Sequence, residues 1–242
     1  YVFCQKNILS LIPKVLYHFN KKFGKIKVMN KHGISDLKKL IIKYGAKLGE
    51  KNMSPATSGN ISARFGENIL ITASGTCLAD LCDEDIVLID QNSNVLNGSK
   101  KPSSEKNLHK AIYEIRPDIN AIIHCHSPYA SAFAVSHIPL SKPIISENVF
   151  YFGEIPVAEY ALPGSDKLVE NTAKYFAKHD AVLLANHGIV IGAGDLKNAY
   201  YLMETAETYA QIYINSVILG GAKELSPKDI DEIYAMKKAV AR

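Results

Sequence analysis

The sequence predicts an α/β fold of three layers: a central mixed, mostly antiparallel sheet covered by helices on both faces. Two observations carry this. Segments of helical period interleave along the chain with short apolar runs of strand character. Hairpins occur among those runs, which makes neighbouring strands antiparallel rather than members of a purely parallel sheet. A chain of 242 residues that is 47% hydrophobic can bury one sizeable core. No internal repeat, low-complexity tract or linker divides it.

Met29 followed by NKHGISDLKKL reads as a chain start, so residues 1–30 are expected to be an N-terminal extension and residues 31–242 a single domain. The opening apolar stretch is short, is broken by Pro13 and follows little positive charge, which argues against a secretion signal. Ser35 as a cap, with Leu37, Leu40, Ile41, Tyr44 and Leu48 at helical spacing, predicts a helix over 36–50. NISARF and NILITA, on either side of Gly66, predict a hairpin, DIVLID a further strand, and Asn97-Gly98 a turn. Leu108, Ile112 and Ile115 mark one face of a helix over 105–115, with Ser104 as its candidate cap. AIIHCH reads as a strand, after which Ser127-Pro128 opens a helix with a cap and a first-turn proline. IPVAEY, a helix after Gly164-Ser165, and the strands AVLLA and GIVIGA follow. A long helix from Asp195 to Leu219 and a shorter one after Ser226-Pro227 complete the chain.

Bulk chemistry narrows the function. The net charge of +4 comes from 28 Lys and Arg against 24 Asp and Glu, with much of the excess in the first 31 residues. That is too mild and too local for a nucleic-acid partner. No apolar run approaches the roughly 20 residues needed to cross a bilayer, so no membrane span is expected. Cys4, Cys77, Cys82 and Cys125 form no CxxC pair and are too sparse for a disulfide framework. A reducing cytoplasm is the expected compartment.

Three patterns carry chemistry. In AIIHCHSPYA, strand alternation sends His124 and His126 to one face and Ile123 and Cys125 to the other. Two imidazoles on one face can chelate an ion, although HxH alone favours an ordinary pair of strand-end histidines. In AVLLANHGIVIG, His187 sits between a buried strand and a glycine, where a loop at a sheet end gathers functional groups. A third histidine completes the ligand set of a catalytic zinc site that keeps one position open. Ser103-Ser104-Glu105 places hydroxyls and free amides at a helix start, a setting that suits an anion as well as it suits simple capping. Thr57-Ser58-Gly59-Asn60 and Ser74-Gly75-Thr76 are two further small polar turns at strand ends. Together with the histidines they suggest a phosphate cradle beside a metal.

Taken in order, TSGNIS, ITASG, KPSSE with LHKAIYEIRPD, AIIHCHSPYA and LLANHGIVIGAGDLKNAYYLMETAETYAQIY resemble the class II aldolase and adducin family, in its L-fuculose-phosphate aldolase branch. The resemblance runs from about residue 35 to 220. It implies that His124, His126 and His187 are metal ligands for one Zn2+ per subunit, or another divalent ion. Glu105 matches the acid/base, which can also approach the metal. Gly59, Asn60, Ser74, Gly75, Ser103 and Ser104 match the positions that hold the substrate phosphate. The implied reaction is retro-aldol cleavage of a ketose 1-phosphate to dihydroxyacetone phosphate and a short aldehyde. The implied partner is a small sugar phosphate, and the implied assembly is a homotetramer with sites at subunit interfaces. A tyrosine acting on the C4 hydroxyl is also implied, from a neighbouring subunit or the C-terminal tail. Tyr151 and Tyr234 lie in the corresponding regions without matching the aldolase pattern, and Tyr113 reads as a packing residue.

Three other enzymatic readings share this chemistry: a ribulose-phosphate 4-epimerase, a sugar-acid phosphate decarboxylase and a methylthioribulose-phosphate dehydratase. Against the epimerase, NVFYFG puts Val149 where that branch carries an aspartate. Against a non-catalytic adducin-like head stands the retention of all three histidines and the glutamate.

Overall fold

The computed structural model describes residues 33–240. The extension expected over residues 1–30 lies outside the described residues. Eight strands form one sheet: β1 Asn60–Phe65, β2 Asn68–Thr72, β3 Ile86–Ile89, β4 Val95–Asn97, β5 Ala121–Cys125, β6 Val157–Ala158, β7 Ala181–Leu184 and β8 Gly188–Ala193. Their spatial order is β4-β3-β2-β1-β5-β8-β7-β6. Every pairing is antiparallel except that of β6 with β7, so the sheet is mixed as expected.

Seven helices are described: α1 Ile34–Glu50, α2 Lys106–Ile115, α3 Pro128–Ser136, α4 Ser146–Tyr151, α5 Asp166–Ala173, α6 Leu196–Ile218 and α7 Pro227–Val240. One face of the sheet, including Ile61, Ile123, Cys125 and Ile189, packs with Ile41 and Leu48 of α1, Phe133 of α3 and Met203 and Ala206 of α6. The other, including Ile71, Ile122, Val182 and Val190, packs with Leu108 and Ile112 of α2 and Leu168 of α5. Strands β2, β3, β5, β7 and β8 therefore supply both cores by alternation, and these runs read as continuously apolar because neither face is wet.

Several local expectations shift. Ser35 lies inside α1, whose cap is Gly33. Ser104 does not cap α2; Glu105 occupies the cap position, and the Ser103 hydroxyl accepts from the Glu105 amide at 3.2 Å. Ile115 is 36% exposed, and the buried face of α2 is Leu108, His109, Ile112 and Tyr113 instead. Strand β4 and helix α4 carried no readable pattern at three and six residues. IPVAEY forms strand only at Val157–Ala158.

Candidate active site

The site forms where β1 begins, β5 ends and β8 begins. Asn60 pairs in register with His124, and His124 with Val190, which brings three separate segments together at one end of the sheet's central strands. Two glycines make the approach possible. A Cβ on Gly59, whose φ is +80°, would lie 2.6 Å from the His124 carbonyl oxygen, and one on Gly188 would lie 2.4 Å from that of Cys125 and 3.0 Å from the His126 ring. Both contacts forbid a side chain.

The strand parity of AIIHCH holds. Cys125 is fully buried in the core of α1, α3 and α6, and burial pushes its thiol well above the ordinary range, so it serves as a protonated packing residue. His124, His126 and His187 converge, with one ligand atom from each lying within 4.8 Å of the others. Their ring centroids form a near-equilateral triangle of 4.7–5.0 Å sides. His124 Nδ1 donates to the Ile189 carbonyl at 3.0 Å, which leaves the lone pair on Nε2. That Nε2 lies 3.1 Å from Nε2 of His126. Burial lowers the basicity of all three imidazoles, His187 to about 4, so each is neutral at pH 7, the form that binds a cation. Convergent neutral nitrogens with little else to bond fit a divalent metal held by three protein ligands.

Glu105, only 5% exposed, stands beside them. Its Oε2 accepts from Asn60 Nδ2 at 2.9 Å and lies 3.2 Å from His124 Nε2, while Oε1 is 3.6 Å from His187 Nε2. Burial alone would raise this carboxyl, but His124, His187 and the Asn60 bond outweigh it and hold it below the usual range.

The small polar segments expected to cradle an anion are zipped together. Ser103 donates its amide to the Thr72 carbonyl at 3.1 Å, Ala73 bridges Pro102, and the Ser74 amide donates to the Lys101 carbonyl at 2.8 Å. Ser74 and Gly75 thereby come alongside Ser103 and Ser104. Ser74, Gly75 and Ser104 are exposed, and the space around the α-carbon of Gly75 is open.

The tyrosines fall elsewhere. Tyr151 lines a cavity of about 300 Å³ with Arg116, Asp118, Asp180 and Tyr201, where β5 starts and β8 ends, away from the histidines. The Tyr234 hydroxyl lies against Gly153. Tyr113 is buried with its hydroxyl 2.8 Å from Ser62 Oγ, so it does more than pack. Sequence reasoning also missed His109 and Glu207. His109 is wholly buried one turn after Glu105, and the carboxylate of Glu207 on α6 accepts from the amides of Tyr129 and Ala130, both at 2.8 Å. A readable signal for His109 was its i+4 spacing from Glu105; Glu207 had none, because its partners lie 77 and 78 residues away.

The family model for the class II aldolase and adducin N-terminal domain matches residues 39–214. A 5-deoxy-D-ribulose 1-phosphate aldolase of Bacillus thuringiensis serovar kurstaki is 35% identical over 200 residues, spanning 81% of this chain and 92% of its own. An L-fuculose phosphate aldolase of Methanocaldococcus jannaschii is 37% identical over 184 residues, 75% of this chain and 98% of its own. Among solved structures, an L-fuculose 1-phosphate aldolase superposes with a TM-score of 0.80 at 36% identity, covering 87% of this chain and all of that one. Aldolases are carbon–carbon lyases, and with relatives so named along most of its length, the chain belongs to the class II aldolase and adducin family.

Proposed function

We propose that the protein is a zinc-dependent aldolase that cleaves a ketose 1-phosphate, of the L-fuculose 1-phosphate kind, to dihydroxyacetone phosphate and a short aldehyde. The observation that carries this is Glu105 set among three converging imidazoles at the head of the helix that follows Ser103 and Ser104. His124, His126 and His187 would hold the zinc, which when bound supplies Lewis-acid stabilisation of developing negative charge worth several kcal/mol. Ser74, Gly75, Ser103 and Ser104, with Gly59 and Asn60, would hold the phosphate and so orient the donor half. Breaking the bond between C3 and C4 leaves the electron pair on C3 and turns C4 into the aldehyde carbon as the C4 hydroxyl gives up its proton to solvent, so that the net change moves one proton from that oxygen to C3. Glu105 delivers a proton to C3 in cleavage and removes it in condensation. Asn60, bonded to one carboxylate oxygen, holds the base toward that carbon.

Support comes from a relative named as a 5-deoxy-D-ribulose 1-phosphate aldolase and a solved structure named as an L-fuculose 1-phosphate aldolase. The same reading extends to a cytoplasmic homotetramer with sites at subunit contacts, which sedimentation tests. The functional test incubates the zinc-loaded protein with fuculose 1-phosphate, ribulose 1-phosphate and ribulose 5-phosphate. Release of dihydroxyacetone phosphate from a 1-phosphate is expected. Turnover of ribulose 5-phosphate alone would sink the aldolase reading and favour the epimerase.

A further inference from the structure

Where β2 ends, its tail is flanked on both sides. On one side the Ala73 amide donates to the Asp85 carbonyl at 2.7 Å, continuing the pairing of Thr72 with Ile86 of β3. On the other, residues 101–103 run antiparallel to residues 72–74. Ser103 donates its amide to the Thr72 carbonyl at 3.1 Å, Pro102 bridges Ala73, and Ser74 donates its amide to the Lys101 carbonyl at 2.8 Å. The two flanking segments then meet through their side chains. Lys100 Nζ lies 2.7 Å from Asp85 Oδ1, so one ion pair ties together the segments on either side of the tail. The second carboxylate oxygen is also taken, since the amide and the thiol of Cys82 donate to Asp85 Oδ2 at 2.9 and 3.0 Å. Asp85, 7% exposed, is thereby fixed at its carbonyl and at both carboxylate oxygens.

This arrangement bears on the anion cradle. The tail of β2 carries Ser74 and Gly75, and the segment zipped to it carries Ser103 and Ser104, so each half of the cradle sits on its own strand. The amides of Gly75 and Ser104 make no hydrogen bond among the described residues, and both residues are exposed. Two backbone bonds set the separation of the halves, and the outer one, from Ser74 to Lys101, lies beside Lys100. Charge is a poor account of why the ion pair is there. Asp85 offsets Lys100, and a carboxylate near an anion site repels what the site must hold. What the pair supplies is position, through a charge-assisted bond with one partner nearly buried.

We propose that the Asp85–Lys100 ion pair is a staple that holds Ser74 and Gly75 at a fixed spacing from Ser103 and Ser104, and so is a positioning pair for the phosphate of the substrate. In this role neither residue touches the phosphate or the reacting carbons. The role rests on the anion cradle of the proposed function and is independent of which bond the enzyme breaks.

The sign of one substitution separates position from charge. Asp85→Asn removes a carboxylate and frees a lysine, so if charge were what mattered the variant would bind an anion more tightly. A staple predicts the reverse. The probe is glycerol 3-phosphate, a phosphate monoester without the carbonyl that zinc would polarise, titrated by calorimetry into the whole zinc-loaded protein. Asp85→Asn and Lys100→Met are each expected to weaken its binding about three- to tenfold, and the double variant no further than either alone. Lys100→Arg keeps the cation and is expected to stay within about twofold of wild type. On the ketose 1-phosphate that wild type cleaves, KM should rise with the loss of affinity while kcat and zinc content stay within about twofold. Unchanged or tighter binding in Asp85→Asn, additive losses in the double variant, or losses that follow melting temperature or zinc content would overturn the proposal. Should Asp85→Asn fail to fold, Lys100→Met decides it against Lys100→Arg, and equal affinity in those two overturns it. Wild type that binds glycerol 3-phosphate but cleaves no ketose 1-phosphate loses the aldolase reading, while the affinities still decide the staple. Wild type that binds no phosphate monoester loses both.

Discussion

Glu105 sits against two imidazoles, His124 and His187, and one amide, so neutralising it tests the chemistry while leaving the nitrogen ligands in place. Glu105→Gln is expected to retain zinc and to lose about 10²- to 10⁴-fold in kcat, the range general acid–base catalysis supplies. His187→Ala is expected to lose the zinc, read by metal analysis; a variant that keeps it removes His187 from the ligand set. A charge further out governs acid stability. Lys100, at 2.7 Å, and behind it Cys82 hold the Asp85 carboxyl down to about 2. Because the folded value lies below the ordinary one, the unfolded chain takes up this proton first as pH falls. The stabilisation is therefore present above about pH 4 and drains away between about 4 and 2. In urea titrations the advantage of wild type over Asp85→Asn should shrink across that window; an unchanged difference refutes the assignment. At this scale His124, His126 and His187 were legible, since alternation and residue chemistry are local. The i+4 spacing of His109 from Glu105 was legible too, but its pairing with Ser62, 47 residues away, was not.

Helix α3 shows what an element needs beyond its own sequence. Ser127 and Pro128 mark its start correctly, yet the Ser127 side chain makes no capping bond. The first-turn amides are satisfied by Glu207, from the middle of α6, so a long helix on the same face of the sheet closes the turn that follows His126. Glu207→Ala would strand two amides beneath the packing of α6, and is expected to cost about 2 to 3 kcal/mol in denaturant unfolding. A loss below about 0.5 kcal/mol would mean that water replaces the carboxylate. Because His126 lies two positions before the helix, zinc affinity should fall in the same variant. By contrast α5 follows its sequence directly, since the Ser165 hydroxyl accepts from the Leu168 amide at 3.2 Å.

Across the whole molecule, the sheet order turns four hairpin-derived strands and four later ones into one surface with β1 and β5 adjacent at its centre. That adjacency brings Asn60 and Gly59 against His124. Because the three histidines come from two separate parts of the sheet, a metal that binds only the folded arrangement must stabilise it. Zinc at about 100 times its dissociation constant should add about 2.7 kcal/mol and raise the melting temperature. The rise should vanish in His124→Ala, and a melting temperature indifferent to zinc in wild type would argue against a preformed site. Among the described residues no helix is long and apolar enough to cross a membrane.

The layers of the fold, the hairpin of β1 and β2, the parity that separates Cys125 from its neighbouring histidines, and the site residues as candidates are all legible in the order of residues, because periodicity and side-chain chemistry are properties of short segments. The pairing of β1 with β5, the closing of α3 by Glu207, and the meeting of Ser62 with His109 and Tyr113 emerge on folding alone. These depend on which distant segments share a buried face, where an unpaired polar group is costly and packing selects the partner that satisfies it.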